Sequence, residues 1–137
     1  MSTLVQRHQG TVTITLPIRT VSEANQREHH MVKWRRAKAQ RAMVGWAAKA
    51  SCDELGGLLE KYRSLVVTLT RIAPGRGKRM DPDNYAGSWK HIQDAVAYVL
   101  GVDDGDVDRV EWVYAPQERG DRYAVRIEVR QRGEVAA

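Results

Sequence analysis

Hydrophobic positions change their period several times along this chain, and each change marks an element. Over 11-TVTITL-16, Val12, Ile14 and Leu16 alternate with threonines, the period-two pattern of a strand with one buried face, and Pro17 ends it. From about Ser22 to Ala50 the pattern turns helical, uninterrupted by proline or paired glycine. At 100° per residue Val32, Ala39, Met43, Trp46 and Ala50 share one face, expected to point inward. Arg27, Arg35, Lys38, Arg41 and Lys49 gather on the opposite side, while Lys33 and Arg36 depart from the pattern. A short helical turn near Asp53–Tyr62 is weakened by Gly56-Gly57. Residues 65-LVVTLTRI-72 are β-branched and apolar on both faces, as a central strand requires, and the loop 73-APGRGKR-79 follows. A second helix is predicted from Asp83 or Asn84 to Leu100, with Ile92, Val96, Val99 and Leu100 inward and Gly101 as its stop. Val110–Tyr114 and Tyr123–Arg130 read as strands joined by a hairpin through 118-ERGD-121. The order β-α-β-α-β-β predicts an α+β fold: one domain over residues 1–137, with helices packed against a single mixed sheet and a loose tail over 131–137.

Composition narrows the class. A chain of 137 residues is long enough to bury about two thirds of its unfolded surface in one domain. Hydrophobic content of 42% and charged content of 28% fit a soluble globular protein. No run approaches the roughly 18 apolar residues of a membrane span, so no membrane partner is expected. The opening MSTLVQRHQG has no stretch of signal-peptide type. The single cysteine, Cys52, allows no internal disulfide and no thiolate cluster for zinc, and has no histidine near it in sequence to make it a nucleophile. A cytoplasmic location is the expectation. The net charge of +5 is unevenly placed: residues 1–79 hold 15 Lys/Arg against 5 Asp/Glu, and residues 80–137 hold 7 against 12. A basic half suggests a polyanionic partner, and a compact acidic cluster suggests a cation site.

The chemistry concentrates in 75-GRGKRMDPDNYAGSWKHIQDAVAYVLGVDDGD-106. Asp81 and Asp83 are two apart just beyond a predicted buried strand, and in extended chain such side chains point the same way. Carboxylates that close repel unless a proton or cation sits between them. Mg²⁺ or Mn²⁺ suits such a site, because it needs only one or two carboxylates plus waters and substrate phosphate oxygens. Lys90, the only lysine after residue 79, lies on the helical face shared with Asp83 and Asp94 and leans back toward the carboxylates. Asp103, Asp104 and Asp106 follow the helix C-terminus, where the dipole disfavours negative charge, and a bound cation is one possible compensation. The calcium-loop pattern fails, since a start at Asp104 puts Arg109 at the glycine position; GRGKR lacks the glycine spacing and the Ser or Thr of a P-loop. Pro82-Asp83 is not followed by the acid-x-lysine triplet of another nuclease class.

The run 80-MDPDNYAGSWKHIQDAVAYVLGVDDGDV-107, after a basic loop and before two strands, resembles the RusA-type Holliday junction resolvases, especially phage and prophage members. That family shows D-x-D-N, a helix carrying a lysine, and a D-D pair after a glycine, here Asp81, Asp83, Asn84, Lys90 and Asp103-Asp104. The likeness covers roughly residues 65–130; the initial strand and the polar 14-ITLPIRTVSEANQREHH-30 add weaker support. The spacing from Asp-Asn to the lysine is longer than in some members, so Lys90 is identified by counting back four from Asp94. The resemblance implies a small bacterial or phage-encoded homodimer that binds four-way DNA junctions and makes paired, symmetric nicks with Mg²⁺ and no organic cofactor. Asp81, Asp83 and Asp104 would hold the metal, with Asp103 a further possible ligand, and Lys90 would be an essential electrostatic partner.

Plainer readings stand beside these. Asp83 or Asn84 is also an ordinary helix N-cap, Asp103–Asp106 an ordinary solvated turn, and Lys90–Asp94 an ordinary i,i+4 pair. The basic helix face could serve solubility alone; with a DNA substrate, Arg27, Lys38 and Arg41 would meet phosphates, as would Arg76, Lys78 and Arg79 beside the proposed metal. His29 and His30 diverge by 100° on a helix, so at most one could face a site. Trp34, Trp46, Trp89 and Trp112 read first as core or dimer contacts, with Trp89, next to Lys90, the one placed for insertion at a junction. Two rival functions remain at this level: a non-catalytic DNA-binding module with a structural cation site, and a Mg²⁺-dependent nuclease acting on forks or flaps.

Overall fold

The alternation of 11-TVTITL-16 does what its period requires. In the computed structural model, which describes residues 4–8, 11–21, 30–49, 64–75, 81–103 and 105–132, Val12, Ile14 and Leu16 are buried and the threonines between them are half-buried. The strands are β1 (Leu4–His8), β2 (Thr11–Leu16), β3 (Leu65–Pro74), β4 (Val110–Gly120) and β5 (Ala124–Gln131); the helices are α1 (His30–Lys49), α2 (Pro82–Gly87) and α3 (Lys90–Leu100). They form one mixed sheet in the order β1-β2-β5-β3-β4, in which β3 and β4 are parallel and every other pair is antiparallel. The α+β class expected from the sequence is the one observed. Among the described residues no helix is long and apolar enough to cross a membrane.

Cross-strand rows build the core. Ile14 faces Ile127, which faces Leu69; Val12 faces Val129, which faces Val67. Such directly opposed β-branched and aliphatic pairs are the packing unit of a sheet. Over these rows lie Val44 and Ala47 of α1 and Ile92, Val96 and Leu100 of α3, in one contiguous cluster. The third row, Leu16–Val125–Arg71, puts an arginine where the pattern calls for an aliphatic residue.

Five expectations need correction. First, β4 and β5 form no hairpin: β4 runs on to Gly120, and both strands flank β3. A hairpin would leave β3 at an edge with its two-sided apolar run uncovered, and edge strands tolerate that poorly. Second, β1 adds a strand that the weakly patterned LVQRH does not announce. Third, the helix predicted from Asp83 or Asn84 to Leu100 is two helices, because the chain turns at Ser88 and Trp89 to bury the indole completely. Gly101 does end α3, in the left-handed region at φ 71°, the conformation glycine adopts without cost. Fourth, α1 is rotated from its predicted orientation. Ala37, Gln40, Val44 and Ala47 face the core, whereas Val32 is 42% and Trp46 76% exposed. Small residues let the helix pack closely, chiefly on α3, and Val32 and Trp46 are left outside while Met43 of the predicted stripe still packs against the core. Fifth, the loose tail expected over 131–137 starts later, because Gln131 closes β5 and Arg132 N donates to Ser64 O; residues 133–137, the turn near Asp53–Tyr62, His29 and Cys52 lie outside the described residues.

The end of β4 is tightly fitted against β3. A Cβ on Gly120 would sit 2.5 Å from Ile72 Cγ2, a branched atom with little freedom to move. Gly120→Ala should therefore destabilise the protein by about 1–3 kcal/mol through overpacking, read as a lower urea midpoint. An unchanged midpoint would show that this edge is looser than it looks.

Candidate functional site

The carboxyl end of β3 is irregular, and the irregularity positions the candidate chemistry. Register between β3 and β4 shifts between Thr70 and Ile72, so Thr70 pairs with Ala115 but Ile72 with Glu118. The Arg71 amide and the Ala115 carbonyl are instead linked through Tyr85: its hydroxyl accepts from Arg71 N at 2.9 Å and donates to Ala115 O at 2.8 Å. Bulges commonly re-aim the chain in this way. Burial pushes the Tyr85 hydroxyl above its usual pKa, partly offset by the Arg71 amide. The result is that α2, six residues long, is fastened to the sheet at the place where the chain leaves β3. Tyr85→Phe should cost about 1–3 kcal/mol, because it strands a buried donor and acceptor together; chemical denaturation measures it, and a neutral substitution would mean that water replaces the hydroxyl.

That fastening fixes Asp81 and Asp83. Asp81, rather than Asp83 or Asn84, is the N-cap of α2, with Pro82 beginning the helix. Its Oδ1 accepts from Asn84 N at 2.9 Å and its Oδ2 from Asn84 Nδ2 at 2.7 Å. A carboxylate offers about four lone-pair sites, so this grip orients Asp81 and leaves acceptor capacity unused. Both aspartates are exposed. Lys90 is exposed at the start of α3 and, among the described residues, forms no ion pair with Asp94. Asp94 instead meets Arg41 of α1 at 3.8 Å.

The second acidic group lies elsewhere. Leu65 pairs with Val110, and Leu65 N donates to Arg109 O, so the turn before β4 sits at the amino end of β3. Asp81 and Asp83 sit beyond its carboxyl end. Helix α3 alone, at about 1.5 Å per residue, spans about 16 Å between them. In the turn, Asp103 Oδ1 accepts from Gly105 N at 3.0 Å and Asp106 Oδ1 from Asp108 N at 3.2 Å. These local bonds explain why acids are tolerated there, since Asx turns satisfy loop backbone. Asp104 lies outside the described residues. Among the described residues no three His, Cys, Asp or Glu side chains gather into a group able to hold a metal.

Of the expected phosphate contacts, Arg27, Arg76, Lys78 and Arg79 lie outside the described residues. Lys38 is exposed, its ammonium 5.0 Å over the Trp34 ring, and Arg41 faces α3. Trp89 is core: 0% exposed and edge-on to Tyr85 at 6.0 Å, it offers nothing to a junction.

Two features were missed by sequence reading. One is Arg71, 6% exposed, whose guanidinium donates to Gln117 Oε1 at 2.6 Å and to Thr20 Oγ1 at 3.1 Å and lies 5.4 Å from the Tyr123 ring centroid. Desolvation lowers its pKa from the usual arginine value. The other is a cavity beside Lys90, lined from α1 by Lys33, Trp34 and Arg41. Lys33 was the signal for it, as one of two basic residues of α1 off the predicted outer face. No protein-family model and no curated protein matches this chain, and its functional reading therefore rests on the chemistry of these residues.

Proposed function

We propose that the protein is a RusA-like, Mg²⁺-dependent endonuclease of branched DNA. The observation that carries this reading is the exposed pair Asp81 and Asp83 at the start of α2, which Asn84 and Tyr85 hold beyond the carboxyl end of β3, with Lys90 exposed at the start of the helix that follows. Crevices beyond the carboxyl ends of parallel strands are where α/β sheets commonly bind ligands. Two carboxylates there suit a hard cation that keeps waters and accepts phosphate oxygens. The metal would lower the pKa of an attacking water and stabilise charge on the phosphate. Lys90 would add positive charge to the bound phosphate's surroundings.

A site that used both acidic groups would require a homodimer. Within one chain α3 keeps the 103–106 turn away from Asp81 and Asp83, so a site using both groups draws the second from another copy. Two such sites related by a two-fold axis would suit symmetric nicking of two strands.

The test is a labelled four-way junction incubated with Mg²⁺ beside a fork, a flap and a plain duplex. Paired symmetric nicks in the junction are expected. Intact junctions under saturated binding would refute the reading, and preferential cutting of forks or flaps would move it to that substrate. One observation favours a non-catalytic DNA-binding module instead: capping α2 accounts for Asp81 without a metal. That alternative requires salt-dependent binding with no effect of Mg²⁺ and no nicks.

A further inference from the structure

A cavity of about 650 Å³ opens between the first half of α1 and the junction of α2 with α3. Lys33, Trp34 and Arg41 form one wall, Gly87 and Lys90 the other, and among the described residues no carboxylate lines it. His30 and His91 also border it. Among the described residues, Arg41 is the one of these three cations in an ion pair, with Asp94 at 3.8 Å. Cations of one sign gathered in a concavity focus a positive potential that favours an anion. Trp34 is 54% exposed, and with Lys38 over its ring the indole is steadied without being covered. Cations beside an open aromatic ring are the combination that holds single-stranded nucleic acid, phosphate against charge and base against ring. The volume falls within the roughly 300–1,000 Å³ of small-molecule sites, which suits one nucleotide and not the side of a double helix.

We propose that this cavity takes an unstacked nucleotide of single-stranded DNA, its phosphate held by Lys33, Arg41 and Lys90 and its base stacked on Trp34. The inference rests on the nucleic-acid reading above and specifies what that reading leaves open. The chain would recognise a place where a base has left its stack, as at a branch point, and the bound strand would pass Lys90 on its way to Asp81 and Asp83.

The experiment measures binding of the full chain, in chelator, to labelled oligothymidylate, to an abasic strand of equal length and to a blunt duplex. Trp34→Ala should weaken oligothymidylate binding by roughly tenfold, as loss of base–aromatic stacking does, and change abasic binding little. Gly87→Leu should weaken oligothymidylate binding too; a Cβ at Gly87 meets no heavy atom within 4 Å, and an unchanged urea midpoint checks that the rest of the side chain is accommodated. Trp46→Ala, on the same helix but outside the cavity and 76% exposed, should change neither strand's binding. Equal losses from Trp34→Ala and Trp46→Ala, or equal losses on both strands, would overturn the inference. If the chain binds DNA and Trp34→Ala and Gly87→Leu bind like the unsubstituted protein, this subsite falls alone. If the chain binds none of the three DNAs, the nucleic-acid reading falls with it.

Discussion

On the proposed nuclease reading, Asp83→Asn is expected to lower Mg²⁺-dependent junction cleavage by roughly a hundredfold or more, the scale on which losing one group that stabilises transition-state charge is felt, while junction binding persists. Asparagine keeps the shape of aspartate but not its charge, so a hard cation loses a ligand. The fold should survive, because Asp83 is exposed in the first turn of α2 and, among the described residues, accepts no hydrogen bond that holds the helix. The helix dipole loses at most a few tenths to about 1 kcal/mol. Removing a negative charge near phosphate should leave affinity equal or stronger. Cleavage by Asp83→Asn at the unsubstituted rate would remove the metal site from Asp83, and loss of binding together with cleavage would indicate damage to α2.

Asp81 makes a more ambiguous target, which is why Asp83 is the better test. Replacing Asp81 removes the N-cap and both bonds to Asn84, and a lost cap alone costs about 0.5–2 kcal/mol. Reduced activity in Asp81→Ala would thus mix lost metal binding with a loosened helix.

What could be read from the residues followed from period and punctuation. TVTITL, LVVTLTRI and the alternation of Tyr123–Arg130 fixed three strands because one or two faces of each must be buried, and Gly101 ended α3 as only glycine does without strain. The partner of each strand was less legible. The turn residues in ERGD satisfy a hairpin locally, yet β3 needs neighbours on both edges, and that demand is set by the whole sheet. The rotation of α1 was hidden for a related reason. Trp46 and Val32 look like core by hydropathy, but Ala37, Val44 and Ala47 pack closer. At the site, the pairing of Asp81 with Asn84 lay within reach of spacing, since an N-cap meets the residue three further on. The Tyr85 link to the bulge was not, because a register shift between β3 and β4 leaves no mark in either strand alone.

Trp89→Ala should cost about 3–5 kcal/mol, the range for truncating a buried aromatic residue, against a total stability of about 5–15 kcal/mol for a domain. Trp89 has no exposed surface, lies edge-on to Tyr85 with rings inclined at 75°, and belongs to the cluster that joins α3 to the sheet. Truncation leaves a cavity at the joint between α2 and α3, where the backbone has turned to bury the ring and has little freedom to collapse. Urea unfolding followed by circular dichroism should show the midpoint falling sharply, and Trp89→Phe should recover much of it by refilling the space. A loss below about 1 kcal/mol for Trp89→Ala would mean that the joint is not packed around the indole. The consequence reaches the site, because Trp89 immediately precedes Lys90 and Tyr85 stands four residues before it. These two aromatic anchors place Asp83 and Lys90 relative to β3, so Trp89→Ala should reduce cleavage in proportion to the fraction unfolded, and Trp89→Phe should restore both together.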